Sequence, residues 1–249
     1  RGLGDVYKRQ DHILGLFRLW WIPEGSTPGE GAYVYYDANV MLGILAIEAT
    51  RANGVVVGED LGVVPPEALE VLAKNKVLGC TVEWFEQRDG AFREPKKWRE
   101  MTLASVNTHD MPPAAGYLNY EHVNIRERLN LLTGSVEEFR ADAVKEHNAM
   151  LKMLVSSGFL NESALEDESQ HEQEIVEALY KALKAAPSKL LAASIVDAAG
   201  EHRAQNQPGT NDEYPNWRIP LADADCNPIL LDDLFDLPRV KSLAQIMNK

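Results

Sequence analysis

The sequence predicts an α/β fold of the (β/α)₈ barrel type, and three observations point to it. Helix and strand patterns alternate between residues 37 and 106. The strand candidates are continuous apolar runs, which suit strands covered on both faces by helices. Each conspicuous polar cluster follows a strand, and none precedes one. In such a barrel, that is the face on which active sites are built.

The elements follow in order. Asp37 is placed to cap a helix over 38–53, with Met41, Leu42, Ile44, Leu45 and Ile47 at helical spacing and Asn53-Gly54 ending it. A strand over 55–57, all valine, runs into the loop GEDLG. Pro65 and Pro66 stand where a second helix starts, continuing to Lys74. VLGCTVEWF (77–85) reads as a strand, followed by a loop with Arg88, Asp89 and Gly90. MTLASV (101–106) reads as another and ends in NTHDMPP. Residues 121–187 are expected to be an acidic helical insertion between strands. Within it, Ser135 and Glu138 form a capping box for a helix over about 136–156. A second helix is expected over 172–185. LLAASIVDA (190–198) restores the strand pattern, and the tail QNQPGTNDEYPNWRIPL is polar, turn-rich and aromatic. A short helix near 238–247 closes the chain.

Composition narrows the function. The net charge of -13 over 249 residues opposes binding to nucleic acid or to an anionic membrane. A neutral partner such as a sugar fits. Cys80 and Cys226 have no C-x-x-C spacing, so free, buried thiols are expected. The sequence holds no run of ~18 apolar residues and no signal peptide at its start, so a cytoplasmic protein is the expectation. The opening RGLGDVYKRQ has two glycines, four charges and no alternation. Residues 1–10 are therefore expected to be partly an assembly scar, ahead of a segment, 11–249, of something longer.

Three acids stand out: Asp11 in DHILG, Glu59 in GEDLG and Asp110 in NTHDMPP, 48 and 51 residues apart. Barrel geometry can bring side chains at such spacing to one rim. Glycoside chemistry uses one carboxylate to attack the anomeric carbon and one carboxylic acid to protonate the leaving oxygen. A third carboxylate can stabilise the oxocarbenium-like transition state. Each acid also has a plainer reading. Glu59 or Asp60 could be a charge at a helix N-terminus, and Asp110 with His109 a loop hydrogen-bond pair or half of a metal site. Trp20, Trp21, Tyr33, Tyr35, Tyr36, Trp84, Phe85 and Trp98 lie near the strand ends, where aromatic faces suit sugar rings. Trp20 and Trp84 could equally be core.

Four segments, DHILGLFRLWWIPEG, GVVVGEDLGVVPPE, SVNTHDMPPAAGY and QNQPGTNDEYPNWR, together resemble the amylomaltases, or 4-α-glucanotransferases, relatives of the α-amylase barrels. The resemblance implies Asp11 as nucleophile, Glu59 as general acid/base and Asp110 as transition-state stabiliser. It places His109 on the same sugar and Arg9 two residues before the nucleophile. Asp60, Tyr33 and Trp84 complete the candidate substrate contacts. It further implies α-1,4-glucans and maltooligosaccharides as partners, a retaining double displacement, and no metal or organic cofactor. The first three barrel strands of the family have no counterpart here, so the chain is expected to be about the C-terminal half of the barrel and inactive alone. An α-glucan hydrolase of the same barrel type and a non-catalytic glucan-binding fragment are the rival readings.

Overall fold

The computed structural model describes residues 7–248 and shows an α/β chain; residues 1–6, part of the expected scar, lie outside the described residues. The described residues form two compact units, residues 7–81 with 101–103, and residues 82–100 with 104–248.

The first unit holds β1 (Tyr7–Gln10), β2 (Arg18–Trp21), β3 (Ala32–Tyr35), α1 (Ala38–Arg51), β4 (Val55–Gly58), α2 (Pro66–Lys74) and β5 (Gly79–Val82) up to Thr81. No pattern in residues 1–10 predicts a strand, yet β1 pairs in parallel with β4. Val57 also bridges Leu78 in parallel, so β4 has a neighbour on each side. Asp37 caps α1 as expected, its carboxylate accepting the Asn39 and Val40 amides. Asn53 (φ 49°) takes the left-handed conformation that stops the chain from continuing as helix. Ile13, Leu42, Leu72 and Val77 make the core of this unit. The expectation of strands covered on both faces holds only in part. Along β4, Val57 is fully buried but Val55 is exposed, and on α1 Val40, Met41, Ile44 and Ile47 are also exposed. β2 and β3 form an antiparallel hairpin that the alternation pattern does not reveal.

In the second unit, β6 (Gln87–Arg88) and β7 (Ala91–Phe92) form a hairpin whose turn is Asp89-Gly90, both at positive φ, as a type I′ turn requires. The chain continues through β8 (Thr102–Ser105), which starts in the first unit, then α3 (Ala114–Leu118), α4 (Glu121–Arg128), α5 (Val136–Ser156) and α6 (Glu172–Lys184). β9 (Leu190–Ala192), α7 (Ile195–Ala199), α8 (Leu231–Leu234) and α9 (Pro238–Asn248) complete it. Ser135 and Glu138 make the expected capping box. The main core joins Met150, Leu151 and Leu154 of α5 to Ile175, Leu179 and Leu183 of α6, with Trp84 and Trp98 beneath. Each such buried side chain contributes about 2 kcal/mol.

Two expected strands are shorter than their apolar runs. The run 77–85 is a strand only over Gly79–Val82, then turns 3₁₀ over Glu83–Phe85. The run 190–198 is a strand over Leu190–Ala192. The Ser194 hydroxyl then accepts the Asp197 amide and starts α7, which Gly200 closes at φ 83°. A local side-chain cap thus overrides the apolar pattern. Cys80 is buried as expected, but Cys226 is exposed in the tail; among the described residues neither is in a disulfide. Glu83 is fully buried, and neither carboxyl oxygen has a hydrogen-bond partner among the described residues; burial pushes its pKa well above the carboxylate range. Among the described residues no helix is long and apolar enough to cross a membrane.

The His122 ring stacks on Tyr117 at 3.9 Å and 9°. Burial, then the charges of Arg126 and His147, lowers its pKa from 6.5 to about 4. Between those values the unfolded chain takes up a proton that the folded chain refuses. Stability therefore falls as pH drops through this window and is intact above it. We expect His122→Phe, which keeps the stacked ring, to lose about 1–3 kcal/mol less than the parent chain between pH 7 and pH 4. Denaturant unfolding at both pH values checks this. Equal losses in the two proteins would contradict it.

Candidate active site

The first cluster arises from strand register. β1 and β4 pair as Arg9↔Val57 and Gln10↔Gly58, so the residues that follow, Asp11 and Glu59, leave the sheet side by side. The main chain then knits the two loops together. The Glu59 amide donates to the Gln10 carbonyl (2.9 Å), and the Ile13 amide donates to the Glu59 carbonyl (3.0 Å). A Cβ on Gly58 would come within 2.7 Å of the buried Ile13 side chain, so only glycine lets the loops meet this closely.

The side chains extend this arrangement. Glu59 is 7% exposed; Oε2 accepts the His12 amide at 3.0 Å and Oε1 the Leu61 amide at 2.7 Å. The first bond requires His12 to sit in the left-handed region, at φ 46°. Arg9 donates to Asp11 Oδ1 at 2.6 Å. One oxygen of Asp11, one of Glu59 and a His12 ring nitrogen all lie within 4.8 Å of one another. That spacing could hold a cation. However, the Arg9 guanidinium already brings positive charge to Asp11, and both Glu59 oxygens accept amides. These donors already satisfy the oxygens that an ion would need.

The second cluster belongs to the second unit. The loop after β8 carries His109 and Asp110, with His109 Nε2 3.5 Å from Asp110 Oδ1. Asn206 Nδ2 donates to the same Asp110 oxygen at 2.6 Å. Trp217, at φ 59°, is held by its amide on the Gln205 carbonyl (2.8 Å), and its ring lies 5.4 Å from that of His109. A cavity of about 280 Å³ opens beside them, lined among others by Asn107, Thr108, Ser194 and Gln205. Below the loop, Asp197 is 1% exposed and accepts from Asn107 Nδ2 (3.0 Å), the Ala114 amide (2.7 Å) and the Tyr180 hydroxyl (2.6 Å).

The structure therefore brings together Arg9, Asp11 and Glu59 in one unit, and His109 with Asp110 in the other. Asp60 faces inward: Oδ1 accepts the Cys80 amide at 2.8 Å. Burial, and then Asp60, pushes the Cys80 thiol up to about 11. Tyr33 stands exposed on the β2–β3 hairpin, with the Arg18 guanidinium 4.1 Å from its ring centre and Trp20 edge-on at 5.0 Å. Trp84 is a correction. It is 1% exposed, packed on Tyr117 at 4.2 Å and Phe92 at 6.0 Å, so its faces serve the core. Asn206 and Trp217 escape the acid-centred reading, although both lie in the quoted QNQPGTNDEYPNWR segment. Asp197 had no signal, because it sits inside what reads as a strand.

The sequence pattern of the family described as 4-alpha-glucanotransferase matches residues 5–225. A 4-alpha-glucanotransferase of Mycobacterium tuberculosis (strain ATCC 25618 / H37Rv) is 49% identical over 245 residues, 96% of this chain and 33% of that protein. That of Haemophilus influenzae is 32% identical over 218 residues, covering 86% of this chain and 31% of the relative. The crystal structure of amylomaltase from Corynebacterium glutamicum matches with a TM-score of 0.91 at 37% identity, over 97% of this chain and 35% of the other. Amylomaltase from Streptococcus agalactiae, in complex with acarbose, shares the fold at a TM-score of 0.62 and 19% identity, over 96% of this chain and 40% of the other. The chain thus spans about a third of the length of the curated relatives it matches.

The geometry of Glu59 makes a stability prediction. Glu59→Ala leaves the His12 and Leu61 amides without their acceptor and should cost about 1–3 kcal/mol. Glu59→Gln keeps one carbonyl oxygen and should cost less than half as much. Thermal unfolding of the two variants compares them. Equal losses would show that this carboxylate does not hold the loop.

Proposed function

The chain belongs to the 4-alpha-glucanotransferase family, and from that premise we propose that it carries the catalytic residues for transfer of α-1,4-glucan segments between sugars. The observation that carries this reading is the approach of Asp11 to Glu59, with oxygens within 4.8 Å. Retaining enzymes place their two carboxyl groups about 5–5.5 Å apart, and inverting ones leave room for a water between them.

In this mechanism Asp11, oriented by Arg9, attacks the anomeric carbon and forms a glycosyl ester. Glu59 in its acid form protonates the departing glucan oxygen, then deprotonates the hydroxyl of the incoming sugar. Asp110, held by Asn206, stabilises the positive charge that develops on the ring, and His109 contacts the same sugar. The buried Asp60 acts behind them, and Tyr33 offers a ring face further out. The chemistry asks for no metal or organic cofactor. We read the successive parallel pairings of the first unit as an arc of a (β/α)₈ barrel, and residues 121–187 as a helical insertion in it.

One observation favours a second reading. Asp11 is 54% exposed, which admits water as the acceptor and would make the parent protein an α-glucan hydrolase. Products separate the two: glucose plus longer oligomers from maltotriose mean transfer, glucose and maltose alone mean hydrolysis.

The test is a chimera in which this chain replaces the matching segment of the Corynebacterium glutamicum amylomaltase. We expect it to disproportionate maltotriose, and Asp11→Asn to reduce turnover at least ~10³-fold, because an amide cannot form the glycosyl ester. Glu59→Gln should regain turnover with azide on a substrate whose leaving group needs no protonation. Asp110→Asn should lower kcat with a smaller change in KM. Near-normal turnover in Asp11→Asn would sink the assignment.

A further inference from the structure

We propose that Asp197 is the positioning residue of the His109–Asp110 loop: its buried carboxylate clamps both ends of segment 107–114 and so sets where those two side chains stand. This rests on the glucan-transfer reading of the same loop.

The segment leaves β8 at Ser105 and enters α3 at Ala114. Asp197 grips it twice, at the Asn107 side-chain amide, 3.0 Å from each carboxylate oxygen, and at the Ala114 main-chain amide, 2.7 Å from Oδ1. Between His109 and the second grip, the Asp110 amide is given to the Thr108 hydroxyl at 3.3 Å. Pro112 and Pro113 have no N–H, and the Met111 amide is already given to the Thr108 carbonyl at 3.2 Å. His109 and Asp110 lie between the two anchors. Tyr180 fixes the clamp in turn: its hydroxyl donates to Asp197 Oδ2 at 2.6 Å and accepts the Ser194 amide at 3.0 Å.

All three partners donate, so both carboxylate oxygens are satisfied although burial raises the Asp197 pKa. Burying a carboxylate is costly, and a purely structural contact between α7 and α3 could be apolar. Instead, this fully buried position spends both oxygens on the ends of one loop. Asn107 and Ser194, which belong to the clamp, also line the cavity beside His109 and Trp217. A shift in the clamp is therefore felt at the site.

The experiment compares Asp197→Asn, the milder Tyr180→Phe and a core truncation away from the loop, Leu179→Ala, in the 249-residue chain. Amide exchange at Ala114 and the proton resonances of the His109 ring, shifted by the Trp217 ring current, are followed by NMR. Disproportionation kinetics are measured with the same changes in the chimera. We expect Asp197→Asn to speed Ala114 exchange at least tenfold and to move the His109 resonances. It should lower kcat at least tenfold with KM within threefold. Tyr180→Phe should do the same to a lesser degree, and Leu179→Ala should leave the His109 resonances and kcat within twofold of the parent. His109 resonances and kcat unchanged in Asp197→Asn would overturn the proposal, as would the same changes in Leu179→Ala. Absence of transfer in the unmodified chimera would instead refute the glucan reading, and the NMR comparison would still decide the role of Asp197.

Discussion

The parallel pairing of β1 with β4 is the constraint on which the candidate chemistry depends. Its register offsets the two strands by the same 48 residues that separate Asp11 from Glu59. A slip of one residue would turn every side chain of β1 to the opposite face and part the two carboxylates. The main-chain bonds from Glu59 to Gln10 and from Ile13 to Glu59 continue the pairing past the strand ends. The loops are thereby held with the rigidity of the sheet. Gly58 completes the constraint, since the buried Ile13 fills the space that a side chain would need.

Around this seam, carboxylates serve two different ends. Glu59 and Asp60 are neighbours, both 7% exposed, yet they face different tasks. Glu59 takes the amides of His12 and Leu61 and stays beside the half-exposed Asp11, where a substrate could reach it. Asp60 takes the Cys80 amide and ties its loop to β5. Asp197 is the counterpart of Asp60 in the second unit, a carboxylate satisfied by donors from the loop it supports. Glu83 differs from all of these. It has no donor among the described residues, and complete burial pushes its pKa well above the carboxylate range.

The helices from 121 to 184 add a large apolar core without adding to either cluster of acids. Their buried stripes, Met150, Leu151 and Leu154 on α5 and Ile175, Leu179 and Leu183 on α6, close on each other. Tyr180 is the exception. It lies on the core face of α6, but its hydroxyl leaves that core to meet Asp197. Through this hydroxyl and Asp197, α6 reaches the anchors of the His109–Asp110 loop, although the two are remote in sequence.

The sequence by itself determined the elements whose causes are local. The Asp37 cap, the Asn53-Gly54 stop, the Ser135–Glu138 box and the amphipathic spacing of α5 and α6 are each written within a few residues, and each stands where it was expected. Glu59 and Asp110 were legible too, because a carboxylate following an apolar run is conspicuous. What needed tertiary structure was every feature made by residues far apart. β1 has no apolar signature, and only the neighbouring β4 makes it a strand. The run 190–198 reads as a strand until Ser194 caps a helix that places Asp197 under a loop 83 residues earlier in the chain. Trp84 reads as a sugar platform, but the core closes over both its faces. Local patterns fix which backbone a segment prefers; burial and long-range hydrogen bonds decide which side chains remain free to act.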